Sequence, residues 1–403
     1  MLQIIAPLVA LALSACVATP GKIVPPSETA TPSTANAAGA AGLMPILEAE
    51  AGPTENILFS PASIEQAFGV LHLGAAGATK DQIEMVLPAV RTQQPLEHDG
   101  NDVEVRIANA LWLSDQYRFH PSFLDAARTR YDATAERLDF SQPVALVERV
   151  NAWADRETEG LISQVLSPDS VTPETVAFIT NALYFDGLWA EAFDGWDMRP
   201  FLFGDGSERE FRLMRDTFEI ALVERDGWRA VRLPYADDRY AMDVVIPRRR
   251  TVMDAAPSLD WLQATGRELG TVERRNVTVS LPQFEVDTKA ALIPHLRKLG
   301  LSLPFDRDRA DLTAMAEPGQ QKLTVDDVQH LAKLQVFDTG TRAAAVTTMR
   351  IITVGLRIHQ TPPVEFTVDR PFVILIRDLD NGTILFAGKI AAPEPFTPEV
   401  REP

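Results

Sequence analysis

The side chains that most often carry catalysis are present in this chain but are not assembled. Six histidines stand at 72, 98, 120, 295, 330 and 359, and no two of them have metal-ligand spacing. No Gly-x-Ser-x-Gly elbow exposes a serine on a strand-to-helix turn, and no His-Glu-x-x-His sets two imidazoles on one helix face. Asp306-Arg307-Asp308-Arg309-Ala310-Asp311 offers three carboxylates but lacks the central glycine of a calcium loop. The sequence therefore points to no metal and no cofactor. Residues 338–353 carry a pattern rather than a catalytic constellation. Read as a strand, this stretch sends Thr341, Ala343, Ala345, Thr347, Met349, Ile351 and Thr353 to one face. Arg342, Ala344, Val346, Thr348, Arg350 and Ile352 fall on the other. The first face has no charge and can be buried. Gly355, Arg357, His359, Gln360, Pro362 and Pro363 then read as exposed loop. Taken alone, the segment is also compatible with an edge strand running into a loop.

A reactive group sits at the front. Residues 2–15 are almost wholly apolar, too short to span a bilayer and of the length of a signal-peptide core. They end in Leu13-Ser14-Ala15-Cys16, and Cys16 is the only cysteine of the chain. This resembles a bacterial lipoprotein signal, in which the cysteine thiol is acylated and becomes the mature N-terminus. An ordinary secretory signal with an incidental cysteine is the alternative. Met1-Leu2-Gln3 carries no cation, a departure from the signal pattern. With Cys16 lipidated the folded part holds no cysteine and needs no disulfide. Residues 16–41, rich in Ala, Pro, Ser and Thr, read as a disordered tether.

The folded part is expected to be α+β. At 403 residues, length alone suggests about two or three domains. Net charge is −18, which leaves no electrostatic footprint for nucleic acid. Asn56-Ile57-Leu58-Phe59 reads as a strand, followed by Ser60 as a helix N-cap and Pro61 at the first helical position. The apolar spacing predicts a helix from there to Gly74, a turn over 74–79, and helices over 81–87, 121–131, 144–158 and 291–299. Strands are expected over 103–113, 176–185, 240–246, 277–281, 322–325 and 331–337. The chain closes on a hairpin of 372–376 and 383–386. Helices and strands mix without regular alternation, and no repeat is evident.

These pieces, in order, resemble the serpin family over roughly residues 43–393. The likeness is carried by Asn56-Ile57-Leu58-Phe59-Ser60-Pro61, Gly74-Ala75-Ala76-Gly77-Ala78-Thr79, Asn151-Ala152-Trp153 and Thr158-Glu159-Gly160. It continues with Asn181-Ala182-Leu183-Tyr184-Phe185-Asp186-Gly187-Leu188-Trp189, Leu233-Pro234-Tyr235, Leu281-Pro282-Gln283-Phe284, Asp369-Arg370-Pro371-Phe372 and Ile384-Leu385-Phe386-Ala387-Gly388-Lys389. The resemblance implies one domain over 42–393 with a short tail, 394–403. Its fold has a large central mixed sheet, further sheets, about nine helices and an exposed reactive loop. It also implies a function. A serine protease attacks the loop, and the cut loop enters the central sheet as a new strand. The protease is trapped as a covalent acyl-enzyme. The partner is that protease and the chain is a monomer. A non-inhibitory serpin acting as a binding or structural module is the alternative, and inhibition of a cysteine protease a third reading.

By the same resemblance Gly340, Thr341, Ala343, Ala344, Ala345 and Thr347 form the hinge, with Arg342 in place of the family's usual glutamate. Ser60, Ser63, Asn181 and His330 match the polar cluster where the sheet opens, and Trp189 the tryptophan at its upper end. Ser60 is also a good helix cap, and a buried Asn or His is also an ordinary satisfied core group. The family's hinge-to-bond distance puts the attacked bond fourteen residues after Gly340, at Val354-Gly355. Counting back from Pro371-Phe372 gives Gln360, and Arg350, Arg357 and Thr353 are further candidates. A small β-branched side chain at the attacked position suits a shallow, elastase-like pocket. Val17 after the cysteine, rather than Asp, points to the outer membrane in a cell that has one. Cys16→Ala is expected to leave the membrane fraction on sedimentation. Wild type that takes up no labelled fatty acid would refute the anchor.

Overall fold

Ser60 stops the first strand and starts the first long helix. Its backbone is extended, and its hydroxyl accepts the Ser63 N–H at 3.0 Å. The helix it caps, α2 (Pro61–Gly74), is buried on nearly every side, as an apolar helix without a charged face must be. The computed structural model describes residues 36–91, 97–100, 102–172, 175–319, 321–325, 327–341 and 362–395. Among these are seven α-helices: α1 (Met44–Glu48), α2, α3 (Gly77–Val86), α4 (Pro121–Tyr131), α5 (Pro143–Glu157), α6 (Leu259–Leu269) and α7 (Ile293–Leu299). No helix of the described residues is long and apolar enough to cross a membrane.

Three sheets carry the rest. The central one holds β2 (Glu97–Asp99), β3 (Val103–Ser114), β4 (Thr134–Leu138), β5 (Ala177–Leu188), β12 (Phe284–Ala291), β13 (Gln329–Phe337), β14 (Gly340–Thr341) and β18 (Glu394–Pro395). Its order is β18-β12-β13-β14-β5-β3-β2, with β4 parallel to β3. The second is β1 (Ile57–Phe59), β17 (Ile384–Ile390), β16 (Phe372–Asp378), β10 (Tyr240–Pro247), β9 (Trp228–Pro234) and β8 (Leu222–Arg225), in that order. The third is β15 (Val364–Thr367), β11 (Arg275–Pro282), β7 (Glu208–Ile220) and β6 (Gly195–Leu202). Apolar faces of all three meet in one core, where Phe284 of the central sheet contacts Phe372 of the second edge to face. Helix α5 covers the outer face of β3 and β5 with Val150 and Trp153, the latter edge-on to Trp112.

Several expectations need correction. Residues 322–325 form no strand; Val325 N–H and the Thr324 hydroxyl both bond the Pro304 carbonyl, so the segment packs as a loop. The helix expected at 81–87 begins at Gly77, because Ala76 and Thr79 are fastened to Asp311 and the expected turn is short. The helix expected at 291–299 starts at Ile293, since Ala291 still pairs with Gln329 as the end of β12. Among the described residues seven α-helices are counted, beside the about nine that the resemblance implied. Residues 36–43, at the end of the expected tether, make a 3-10 turn in which Ala40, Ala41 and Leu43 are buried. Strands β6 and β7, which no alternation announced, pair along the whole of β6, from Gly195 opposite Arg215 to Leu202 opposite Glu208.

Candidate functional site

Two strands of the central sheet are held apart by a third only two residues long. Gly340 and Thr341 pair with Phe337 and Val336 of β13 on one side, and with Leu188 and Gly187 of β5 on the other. Both pairings are antiparallel, so β13 and β5 run in the same direction. Among the described residues no backbone pairing joins β13 to β5 directly. Gly340 has to be glycine: a Cβ there would lie 2.3 Å from the Gly187 carbonyl oxygen and 3.0 Å from Leu188 Cα. Thr341 is fully buried, and its Oγ1 meets the Tyr235 hydroxyl at 2.7 Å. Burial holds the Tyr235 phenol well above its ordinary pKa, so the contact is between neutral groups.

The turn between β13 and β14 is fastened to the end of β5. The Trp189 indole Nε1 donates to the Phe337 carbonyl at 2.9 Å, and its backbone N–H to Thr339 at 3.0 Å. Phe193 N–H donates to Asp338 at 2.9 Å. The Trp189 ring lies flat on Tyr235, centroids 4.6 Å apart at 13°.

Further down the same gap lies a chain of polar groups. His330 of β13 accepts the Ser60 N–H on Nε2 at 3.0 Å, so the ring's proton, if single, is on Nδ1. Ser60 caps Ser63, whose hydroxyl donates to Asn181 Oδ1 on β5. Asn181 Nδ2 donates to Asn109 Oδ1 at 2.8 Å, and Asn109 Nδ2 to the Tyr131 carbonyl at 3.0 Å. The chain thus runs from β13 through the start of α2 to β5, β3 and the end of α4. Two partly buried strands and a core helix are joined by directional bonds rather than by apolar packing.

The family model described as Serpin (serine protease inhibitor) matches residues 34–393. Neuroserpin of Homo sapiens is 30% identical over 365 residues, covering 85% of this chain and 87% of its own. Serpin-Z2A of Triticum aestivum is 32% identical over 370 residues, covering 84% and 90%. A solved Arabidopsis serpin, in its native stressed conformation, is similar with a TM-score of 0.72 at 27% identity, covering 87% of this chain and 95% of its own. The chain belongs to the serpin family.

In this serpin the residues singled out by type and order divide into two groups. Ser60, Ser63, Asn181 and His330 come together in one hydrogen-bonded chain, and Trp189, Gly340 and Thr341 meet at the end of the gap. Ala343, Ala344, Ala345, Thr347, Val354, Gly355 and Cys16 lie outside the described residues. Sequence reasoning missed Asn109, Tyr131 and Tyr235. Asn109 was signalled by an amide in the middle of a strand otherwise apolar on that face, and Tyr235 by its place in Leu233-Pro234-Tyr235.

Burial lowers the His330 pKa to about 4, because the cationic ring loses its hydration and gains no acid. The unfolded value is about 6.5. A base whose folded pKa is depressed stabilises the fold fully above the unfolded value, and that contribution is lost as pH falls from about 6.5 toward 4. The effect is on the order of 3 kcal/mol across the window. His330→Gln, which keeps an acceptor for Ser60, is expected to flatten the fall in thermal midpoint between pH 6.5 and 4 at fixed scan rate. Parallel curves for the two proteins would show that His330 is not the titrating group.

Proposed function

We propose that this serpin traps serine proteases as covalent acyl-enzymes by inserting its cut loop between β13 and β5. The observation that carries this reading is Gly340–Thr341, already bonded on both sides in the slot while β13 and β5 find no direct partner in each other. Unpaired strand edges facing one another favour a strand between them. Each new hydrogen bond is worth roughly 0.5–1.5 kcal/mol, so about a dozen residues gain as much as a whole domain's stability. The uninserted form is then kinetically held.

Extending the two observed registers assigns each loop residue its neighbours in the inserted state. Ala343 would face Leu334 and Phe185, Ala345 would face Ala332 and Leu183, and Thr347 would face His330 and Asn181. Leu334, Phe185, Ala332 and Leu183 are buried, which suits a face of alanines. Thr347 would bring a hydroxyl to the polar chain. The opposite face is not all solvent. Arg342 would stand beside Gln335 and Asp186, and Ala344 beside Lys333, but Val346 and Thr348 would meet Ala182 and Thr180, which are buried.

Val354-Gly355 is the attacked bond in this reading, with an elastase-like enzyme as target and the lipid on Cys16 holding the domain at a membrane. Support for the bond is the distance from Gly340; support for the anchor is the pattern ending at Cys16. A panel of proteases is expected to yield one whose complex survives denaturing electrophoresis, releasing a peptide that begins at Gly355. A loop cut by every enzyme with no complex would leave a non-inhibitory serpin. A peptide beginning at Ile351 or Ile358, from a stable trypsin complex, would move the bond to an arginine. Ala343→Glu puts a charge on the face to be buried, at a cost of several kcal/mol. It should turn the protein into a substrate, whereas Ala344→Glu, beside Lys333, should stay inhibitory. Equal behaviour of the two would show the register to be wrong.

A further inference from the structure

Beside the slot lies a cleft that the proposed inhibition leaves unused. Its floor is aromatic and buried: Trp189, Phe193 and Phe218. Phe193 meets Phe218 edge to face at 4.8 Å. The cavity measures about 90 Å³, room for a side-chain-sized group and too little for a nucleotide or a sugar. Its exposed rim carries Glu191, Glu219 and Asp238. Among the described residues none of these three carboxylates has a hydrogen-bonded or ion-paired partner for its side chain. Nearby carboxylates on the third sheet are matched, Asp197 with Arg199 at 2.7 Å and Glu365 with Arg215 at 2.9 Å. The rim also holds one cation, Arg274, equally without a partner, so the cleft keeps a negative excess.

We propose that this cleft binds a small organic cation, an ammonium or guanidinium group on a short apolar stem, and that its occupancy slows insertion of the loop. The stem lies on the aromatic floor, and the charge meets both the carboxylates and the ring electrons. An anion of the same shape meets three carboxylates and is excluded. Coupling to the slot is direct. Trp189 and Phe193, which line the cleft, are the residues whose N–H groups hold the carbonyls of Phe337, Asp338 and Thr339. A ligand that packs on these two rings favours the arrangement in which the turn is held, and disfavours the parting of β13 from β5. The binding half stands alone; the insertion half rests on the inhibitory reading's premise that the sheet accepts a strand.

The full chain is titrated by calorimetry with n-butylguanidinium and n-butylammonium, with butyrate at the same ionic strength as control. The cations are expected to bind and butyrate not to bind. Glu191→Gln combined with Glu219→Gln is expected to weaken the cations at least ten-fold, and Arg274→Gln to strengthen them. Insertion is read without a protease, as the rate at which the chain takes up a labelled peptide of residues 341–352. Saturating n-butylguanidinium should slow that uptake several-fold in the wild type and leave the double variant unchanged. Equal binding of butyrate, unchanged affinity in the double variant, or binding with no effect on uptake overturns the proposal. Uptake that slows as expected in a chain forming no covalent complex with any protease would uphold it and remove the inhibitory reading instead.

Discussion

The structure depends on a gap. Two strands, β13 and β5, run the same way and are separated by the width of a third, of which the described residues supply only Gly340 and Thr341. Backbone donors and acceptors that face each other across such a gap want a strand between them. The residues packed around the gap decide what can sit in it. Gly340 fits because it has no side chain to strike the Gly187 carbonyl. Thr341 fits because Tyr235 offers its hydroxyl a partner in an otherwise dry place.

The contacts that bridge the gap are mostly polar. His330, Ser60, Ser63, Asn181 and Asn109 form a chain of hydrogen bonds where a fold built only for stability would place leucines. Directional bonds of this kind are modest in net worth and costly to leave unmade. They can hold two strands in one arrangement and be exchanged for equivalent bonds in another, which interlocked apolar side chains cannot do without a cavity. The neutral state of His330 belongs to the same logic, since a charged ring in that position would have nothing to neutralise it.

At the end of the gap, Trp189 links three features: the turn before Gly340, the aromatic stack on Tyr235 and the floor of the acidic cleft. Asp197 and Glu365 of the third sheet are paired with arginines, whereas among the described residues the three carboxylates at this rim have no partner. One indole thus connects the slot between β13 and β5 with the cleft proposed to hold a small cation.

Much of this was legible in the sequence, for local reasons. Ser60 and Pro61 announce a helix start whatever surrounds them, and the apolar spacing after them, like that of 121–131, has one low-energy reading. The ordered set of short motifs named the family and its fold. Elements without such local signals were missed. The charged strand β7 is a strand because β6 and β11 pair with its backbone on either side and Phe218 and Ile220 are buried on one face. Residues 322–325 look strand-like but are drawn to the Pro304 carbonyl instead. Asn109 and Tyr131 join the polar chain through bonds to residues far away in sequence, a pairing that no periodicity encodes. The sequence by itself determined the start of α2 at Ser60-Pro61 and the family. Only the tertiary structure decided that β13 and β5 stand a strand apart and that Gly340 abuts a backbone carbonyl. Those depend on which distant segments come together, and alternation along one strand carries no record of what packs across it.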